Sequence, residues 1–285
     1  MRRLLITIAA LLLAVPAAAI PPAIFTDPPH DAAHPARREV LHVPSGGVEI
    51  DGVAYLAAGA GAHPTLVICH GWPGNEKNLD LAQAVRRAGW NAVTFNYRGS
   101  WGSPGTFHFV QNPQDAAAVL AYLRVPANAA KLGIDPRRIA LAGHSMGGWV
   151  TALTAGSDPA VIGAVLISMG DMGAIGTIPH AQLVELSAGN AETLAGTSTA
   201  VMADELAANR AAFSALRVAP GLATRPLLAL TSDDGLAPQT DALVAAIRAA
   251  GGTRVTTLHV ATDHSWSDAR IALEAAVIDW LATLP

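Results

Sequence analysis

The chain predicts an α/β fold, with a mostly parallel central sheet, helices on both faces and a small helical lid insertion. Three observations lead there. Short apolar runs alternate with helix-length stretches from residue 66 to residue 284. One run, Ile139-Ala140-Leu141-Ala142, passes directly into Gly143-His144-Ser145-Met146-Gly147-Gly148 and then a helical stretch. Residues 172–220 break the alternation with an insert rich in Ala, Leu and Glu, too long for an ordinary connection.

Taken in order, residues 1–19 read as a signal peptide. Met1-Arg2-Arg3 is positive, residues 4–15 are apolar, and Ala17 and Ala19 suit cleavage after Ala19. The apolar run is short for a bilayer, so export to the periplasm or beyond, with no stable membrane span, is expected. Residues 20–39, rich in Pro, Ala and His, read as an extended leader, and 40–285 as the folded domain. His30 and His34 have the spacing of a helical metal pair, but Pro28, Pro29 and Pro35 oppose that helix, so no metal site is expected.

Within residues 40–55, two apolar runs flank Ser45-Gly46-Gly47 and predict a hairpin. Leu66-Val67-Ile68-Cys69 is continuously apolar, the pattern of a parallel strand covered on both faces. Cys69 is the one cysteine, which excludes an internal disulfide and suits a small buried hydrophobe. A helix is expected over 76–89 with a glycine stop, then a strand over 92–95. Asn112-Pro113 opens a helix over 111–123, and 132–136 reads as a turn. Strands follow at 164–167, 227–230 and 255–260, with helices over 239–250 and 268–284. The insert, helical near 181–186 and 201–216, reads as a lid over the catalytic end of the sheet, with packing on a sheet edge as the alternative.

With 51% apolar and 14% charged residues, a chain of 285 residues has the material for a core that needs no disulfide. A net charge of −4 and scattered Lys and Arg give no basic surface, so no nucleic-acid partner is expected.

The chemistry centres on Gly143-x-Ser145-x-Gly147, a strand-to-helix turn with a serine at its apex. A serine hydroxyl needs a base within hydrogen-bond reach and a third group to orient that base. His264 follows the last strand and opens at the same sheet end as Ser145, so it is the candidate base. His144 is expected to point away from the site, His259 sits inside a strand, and His70 belongs to another motif. Asp234 ends the preceding strand and is the leading candidate for the orienting acid; Asp171 and Asp233 are rivals. Oxyanion donors are expected from the backbone N–H of Met146 and, in His70-Gly71-Trp72-Pro73-Gly74, of Trp72. Trp72, Trp101, Phe107 and Trp149 sit in or beside loops at this end, so the three tryptophans are candidate substrate contacts, or else lid packing. The constellation implies no metal and no organic cofactor.

Residues 48–284 resemble an α/β-hydrolase fold serine hydrolase, through His-Gly-x-x-Gly, Gly-His-Ser-Met-Gly-Gly and Asp-His-Ser-Trp in that order. Asn96-Tyr97-Arg98-Gly99-Ser100 is similar to a loop of prolyl-oligopeptidase-type peptidases. Those usually carry Tyr where Met146 stands, and many have a propeller domain that this chain has no room for. Dienelactone-hydrolase-like enzymes and small bacterial esterases share the bare architecture. The resemblance implies hydrolysis of a small-molecule ester or, alternatively, of a short peptide. For a peptide amine, Glu185, Glu192, Asp204 and Glu205 of the lid are candidate anchors.

Overall fold

The strand register decides which loops emerge together at one end of the sheet. A computed structural model describes residues 20–285; the expected signal peptide, 1–19, lies outside the described residues. The hairpin forms as β1 (Arg37–Ser45) and β2 (Val48–Leu56) around the Gly46–Gly47 turn. Next come β3 (His63–Cys69), α1 (Leu79–Arg87), β4 (Asn91–Phe95), α2 (Asn112–Arg124) and α3 (Pro126–Leu132). Then β5 (Ile134–His144), α4 (Met146–Ser157) and β6 (Val161–Ile167) lead to the insert. The insert holds α5 (Met172–Ile175), α6 (His180–Ala188), α7 (Thr199–Phe213) and α8 (Ala219–Leu222). The chain closes with β7 (Leu227–Ser232), α9 (Ala237–Ala249), β8 (Val255–Val260) and α10 (Arg270–Leu281).

The strands form one sheet in the order β1-β2-β4-β3-β5-β6-β7-β8. Pairing is antiparallel from β1 through β4 and parallel from β4 through β8. Every residue of β4 and β7 is buried, because helices cover both faces of these central strands. One core lies beneath α2, α4 and the insert, with Leu141, Val150, Trp149 and Phe213 in it. A second lies beneath α1 and α10, around Ile68, Ile167, Trp266 and Trp280. Among the described residues no helix is long and apolar enough to cross a membrane.

Two expectations change. The leader is shorter than residues 20–39, since β1 already pairs at Arg37 with Leu56. Its first residues are also tied down: Pro22–Ile24 make a helical turn, and the Arg87 guanidinium donates to the carbonyls of Ala23 and Ile24. The turn expected at 132–136 is instead the end of α3 and the start of β5. Ala-rich α3 shows no apolar periodicity in the sequence, but Pro126 opens it and Gly133 closes it in the left-handed conformation.

Where α10 meets α1, Glu274 is buried beside Asp80 and Arg270. Burial, followed by the negative charge and hydrogen bond of Asp80, pushes the Glu274 carboxyl up from 4.5 to about 7. The folded chain therefore holds this proton more tightly than the unfolded chain does. Its stabilising effect is complete below pH 4.5 and is lost as the pH rises through about 7. Glu274→Gln, which needs no proton, should gain thermal stability relative to the native chain as pH rises from 5 to 8, by a few degrees in Tm. Parallel melting curves across that range check it, and a constant offset between the two proteins refutes it.

Candidate active site

Ser145 stands between β5 and α4 with φ 58° and ψ −125°, a conformation costly for a residue with a side chain. Close packing imposes it. A Cβ on Gly143 would lie 1.9 Å from the Gly147 carbonyl oxygen, and one on Gly147 only 2.0 Å from that of Cys69. The Ser145 N–H donates to the Ile167 carbonyl at 2.9 Å, fixing the turn to the end of β6. The helix dipole of α4 starts at this serine.

His264 lies in the loop after β8, and its Nδ1 is 2.7 Å from Oδ2 of Asp234 in the loop after β7. The Asp234 side chain is 3% exposed. Burial opposes its ionisation, but hydrogen bonds from His264 and the Leu236 N–H outweigh this and hold the carboxyl below its usual range. An ionised Asp234 takes the Nδ1 proton as its hydrogen bond, leaving Nε2 of His264 as an acceptor. Ser145 and His264 line one cleft of about 180 Å³ together with Gly71, Trp72, His144, Glu76, Asn190 and Ser265.

The rivals of Asp234 have other partners. Asp171 caps α5, accepting from the N–H groups of Gly173 at 2.8 Å and Ala215 at 3.1 Å. Burial raises its carboxyl above the ordinary value. Asp233 faces solvent and bonds His259 at 3.0 Å, while the other nitrogen of His259 meets the Thr231 hydroxyl, also at 3.0 Å.

His70-Gly71-Trp72-Pro73-Gly74 follows β3, and a Cβ on Gly71 would sit 3.1 Å from Cβ of Ser145. The His70 ring fills the space above Gly74, where a Cβ would fall 2.2 Å from its Nδ1. Burial takes this imidazole down to about 4, and its Nδ1–H donates to the Gly71 carbonyl. Among the described residues, the backbone N–H groups of Trp72 and Met146 donate to no backbone carbonyl of a turn or loop.

The geometry can now be set beside known proteins. Residues 66–282 match the profile of the alpha/beta hydrolase family. The chain belongs to that family. Two uncharacterized proteins of Mycobacterium tuberculosis, from strains CDC 1551 and H37Rv, are 29% identical over 145 residues. The match covers 50% of this chain and 50% of each, so this chain spans about half the length of the curated relatives it matches. Three solved structures share the fold. Acylaminoacyl peptidase of Pyrococcus horikoshii has a TM-score of 0.68 at 17% identity, over 87% of this chain and 41% of that one. A thermostable carboxylesterase cloned from a metagenomic library gives 0.64 at 22%, over 88% and 91%. A dienelactone hydrolase candidate from Klebsiella pneumoniae gives 0.61 at 17%, over 87% and 99%.

Several side chains of this alpha/beta hydrolase depart from the sequence expectations. His144 does not point away. It lines the cleft, its ring lies 4.6 Å from that of His264, and Nε2 donates to the His264 carbonyl at 2.7 Å. Burial lowers this imidazole to about 4, so it is neutral. Trp149 does not contact the cleft: it is fully buried against Phe213 of α7, its indole N–H on the Phe213 carbonyl. One helical turn beyond the serine, it is roofed by the insert. Trp101 also lies outside the cleft lining; its indole N–H holds the Pro73 carbonyl at 2.8 Å and its ring lies beneath Lys77. Phe107 is buried. Trp72 alone of the three tryptophans lines the cleft, packed edge-on to Phe109.

The insert connects interior strands; its Asn190 borders the cleft, and the residues that follow pair with the loop carrying Trp101. Ala195 N–H donates to the Gly99 carbonyl, Phe107 N–H to that of Ala195, and Trp101 N–H to that of Thr193. None of the four acids named in the insert lines the cleft. Glu185 and Glu192 face solvent, Asp204 bonds His180, and Glu205 accepts from the Val110 N–H. The acid that does line it is Glu76, two residues after Gly74, a position to which the sequence pattern assigns no role in the site.

Asp171 and Asp234 separate by experiment. Asp171→Ala should cost about 1–2 kcal/mol of stability through two lost caps, yet leave the reaction of Ser145 with a fluorophosphonate within threefold. Asp234→Ala should slow that reaction by about 10³-fold or more with less effect on stability. Labelling rates and melting curves on both variants decide, and a reversed pattern would make Asp171 the orienting acid.

Proposed function

We propose that the protein is an exported serine hydrolase that cleaves carboxylic esters through an acyl-enzyme formed on Ser145. The observation that carries this reading is the 2.7 Å bond between His264 and buried Asp234, with His264 sharing a cleft with Ser145. In the reaction, His264 Nε2 takes the hydroxyl proton as Ser145 Oγ attacks the ester carbonyl. Charge gathers on the carbonyl oxygen, and the N–H groups of Trp72 and Met146 receive it, each donor lowering the barrier by a few kcal/mol. The imidazolium, steadied by Asp234, returns the proton to the departing alcohol. Water then attacks the acyl group with His264 again as base, releasing the acid and restoring Ser145.

The cleft restricts the acyl group. About 180 Å³ bordered by Glu76, Asn75, Asn190 and Ser265 suits a short chain better than a long one. Peptide hydrolysis is the second reading, favoured by Glu76, an acidic residue bordering the cleft that would attract a substrate amine.

Ser145→Ala should lower kcat/KM for p-nitrophenyl acetate by at least about 10⁴-fold, and activity at the native rate would end the proposal. The native enzyme should prefer acetyl or butyryl esters to dodecanoyl esters by about tenfold or more. Faster turnover of aminoacyl anilides than of simple esters would move the assignment to peptidase. N-terminal sequencing of the exported protein should begin at Ile20; retention in the cytoplasm would refute export.

A further inference from the structure

Two loops face each other across the cleft. One, after β3, carries Gly71, Trp72 and Glu76; the other, after β8, carries His264 and Ser265. They come from opposite ends of the chain, and the Arg270 side chain hydrogen-bonds into both. Arg270, the first residue of α10, donates from Nη1 to the Ser265 carbonyl at 3.1 Å. Its Nε and Nη2 grip both carboxylate oxygens of Asp80 at 2.7 and 2.6 Å, across 190 residues of sequence. Nη2 also donates to Oδ1 of Asn78 at 3.0 Å and lies 3.9 Å from Glu76. Asn78 is fully buried in the left-handed conformation and ends the Trp72 loop.

A planar fork bound to a carboxylate on one edge and to two loops on the others permits little rotation. Burial opposes the guanidinium charge, but Asp80, Glu76 and Glu274 outweigh it and keep the charge in place. The His264 carbonyl has its own donor in neutral His144. Consecutive carbonyls, those of His264 and Ser265, are thus each held, the first by His144 and the second by an arginine that also hydrogen-bonds Asn78 at the end of the Trp72 loop.

We propose that Arg270 is a positioning residue of this cleft, setting the distance between the base loop and the oxyanion loop. The inference rests on the serine hydrolase reading for its effect on rate, though the placement of His264 is measurable without it. A fork replaced by a flexible ammonium keeps the charge and loses the fixed geometry, which distinguishes position from charge.

The test uses the full mature chain with Arg270→Ala, Arg270→Gln and Arg270→Lys. Two quantities are measured: the rate of Ser145 phosphonylation, and the downfield NMR resonance of the His264 Nδ1 proton bonded to Asp234. In Arg270→Ala, phosphonylation should slow by about 10–100-fold and the resonance should broaden or vanish. With p-nitrophenyl acetate, kcat should fall while KM stays within about twofold, as expected for a loss confined to the transition state. Arg270→Lys should recover part of the rate and the resonance. Adding Asp80→Ala to Arg270→Ala should cost little more, since both remove one clamp. If Arg270→Ala does not fold, the Gln and Lys variants carry the comparison. A native phosphonylation rate and an unchanged resonance in a folded variant overturn the proposal. So does a loss of stability alone. If the native chain does not react but the resonance still depends on Arg270, the hydrolase reading falls and the positioning role stands.

Discussion

The close approach of Gly147 to the carbonyl of Cys69 is the constraint from which the site follows. No side chain fits there, so the first turn of α4 lies directly on the end of β3. In the parallel register Cys69 is level with Gly143, so β3 and β5 end together and their loops emerge side by side. The Trp72 loop consequently meets the start of α4, where a Cβ on Gly71 would lie 3.1 Å from Cβ of Ser145. β6, β7 and β8 continue the parallel register, which brings the Asp234 and His264 loops out at the same edge. A larger residue at 147 would separate α4 from β3 and disperse these groups together, instead of disturbing one of them.

That dependence explains which parts of the site were legible in the sequence. Ser145 is framed by glycines that only a tight strand-to-helix turn requires, and such a turn has one apex. Asp234 and His264 each follow a short apolar strand, and the end at which a parallel strand terminates is set by chain direction alone. These are local patterns with a global meaning. The course of β5 was legible only in its apolar half, because Asp135-Pro136 looks like a turn until its preceding residue, Ile134, is seen paired to His63. The leader boundary at residue 39 erred for a similar reason: Arg37-Arg38 has no strand signature, and pairing with Tyr55 and Leu56 supplies what propensity does not.

Side-chain direction was less legible, because it depends on residues far away in sequence. Trp149 sits one turn along a helix without a charged residue, and its exposure turns on whether the insert covers that face. Phe213 of α7 covers it. His144 precedes the serine on a strand, and alternation alone turns it away from its neighbour's direction. What alternation cannot include is the loop of residues 263–269 folding back, which places a backbone carbonyl within 2.7 Å of its ring. Glu76 and Asn190 border the cleft for the same reason, each delivered by a loop whose path is fixed elsewhere.

The two sides of the cleft are also held differently, and this bears on how the site withstands a change of pH. His144 and His70 are imidazoles that burial takes down to about 4, so near neutrality both act as fixed neutral donors. Arg270 and Asp80 carry full and opposite charges, held by their mutual bonds. Of the groups packed around this clamp, Glu274 is the one carried into the neutral range, and its proton is shared with Asp80. When Glu274 ionises, a second negative charge arrives beside a carboxylate already committed to Arg270. The guanidinium is then surrounded by three carboxylates, those of Asp80, Glu76 and Glu274, while its donors are divided among Asp80, Asn78 and the Ser265 carbonyl. Arg270 is therefore where the α1–α10 contact and the loop carrying His264 meet, through Asp80 on one side and the Ser265 carbonyl on the other.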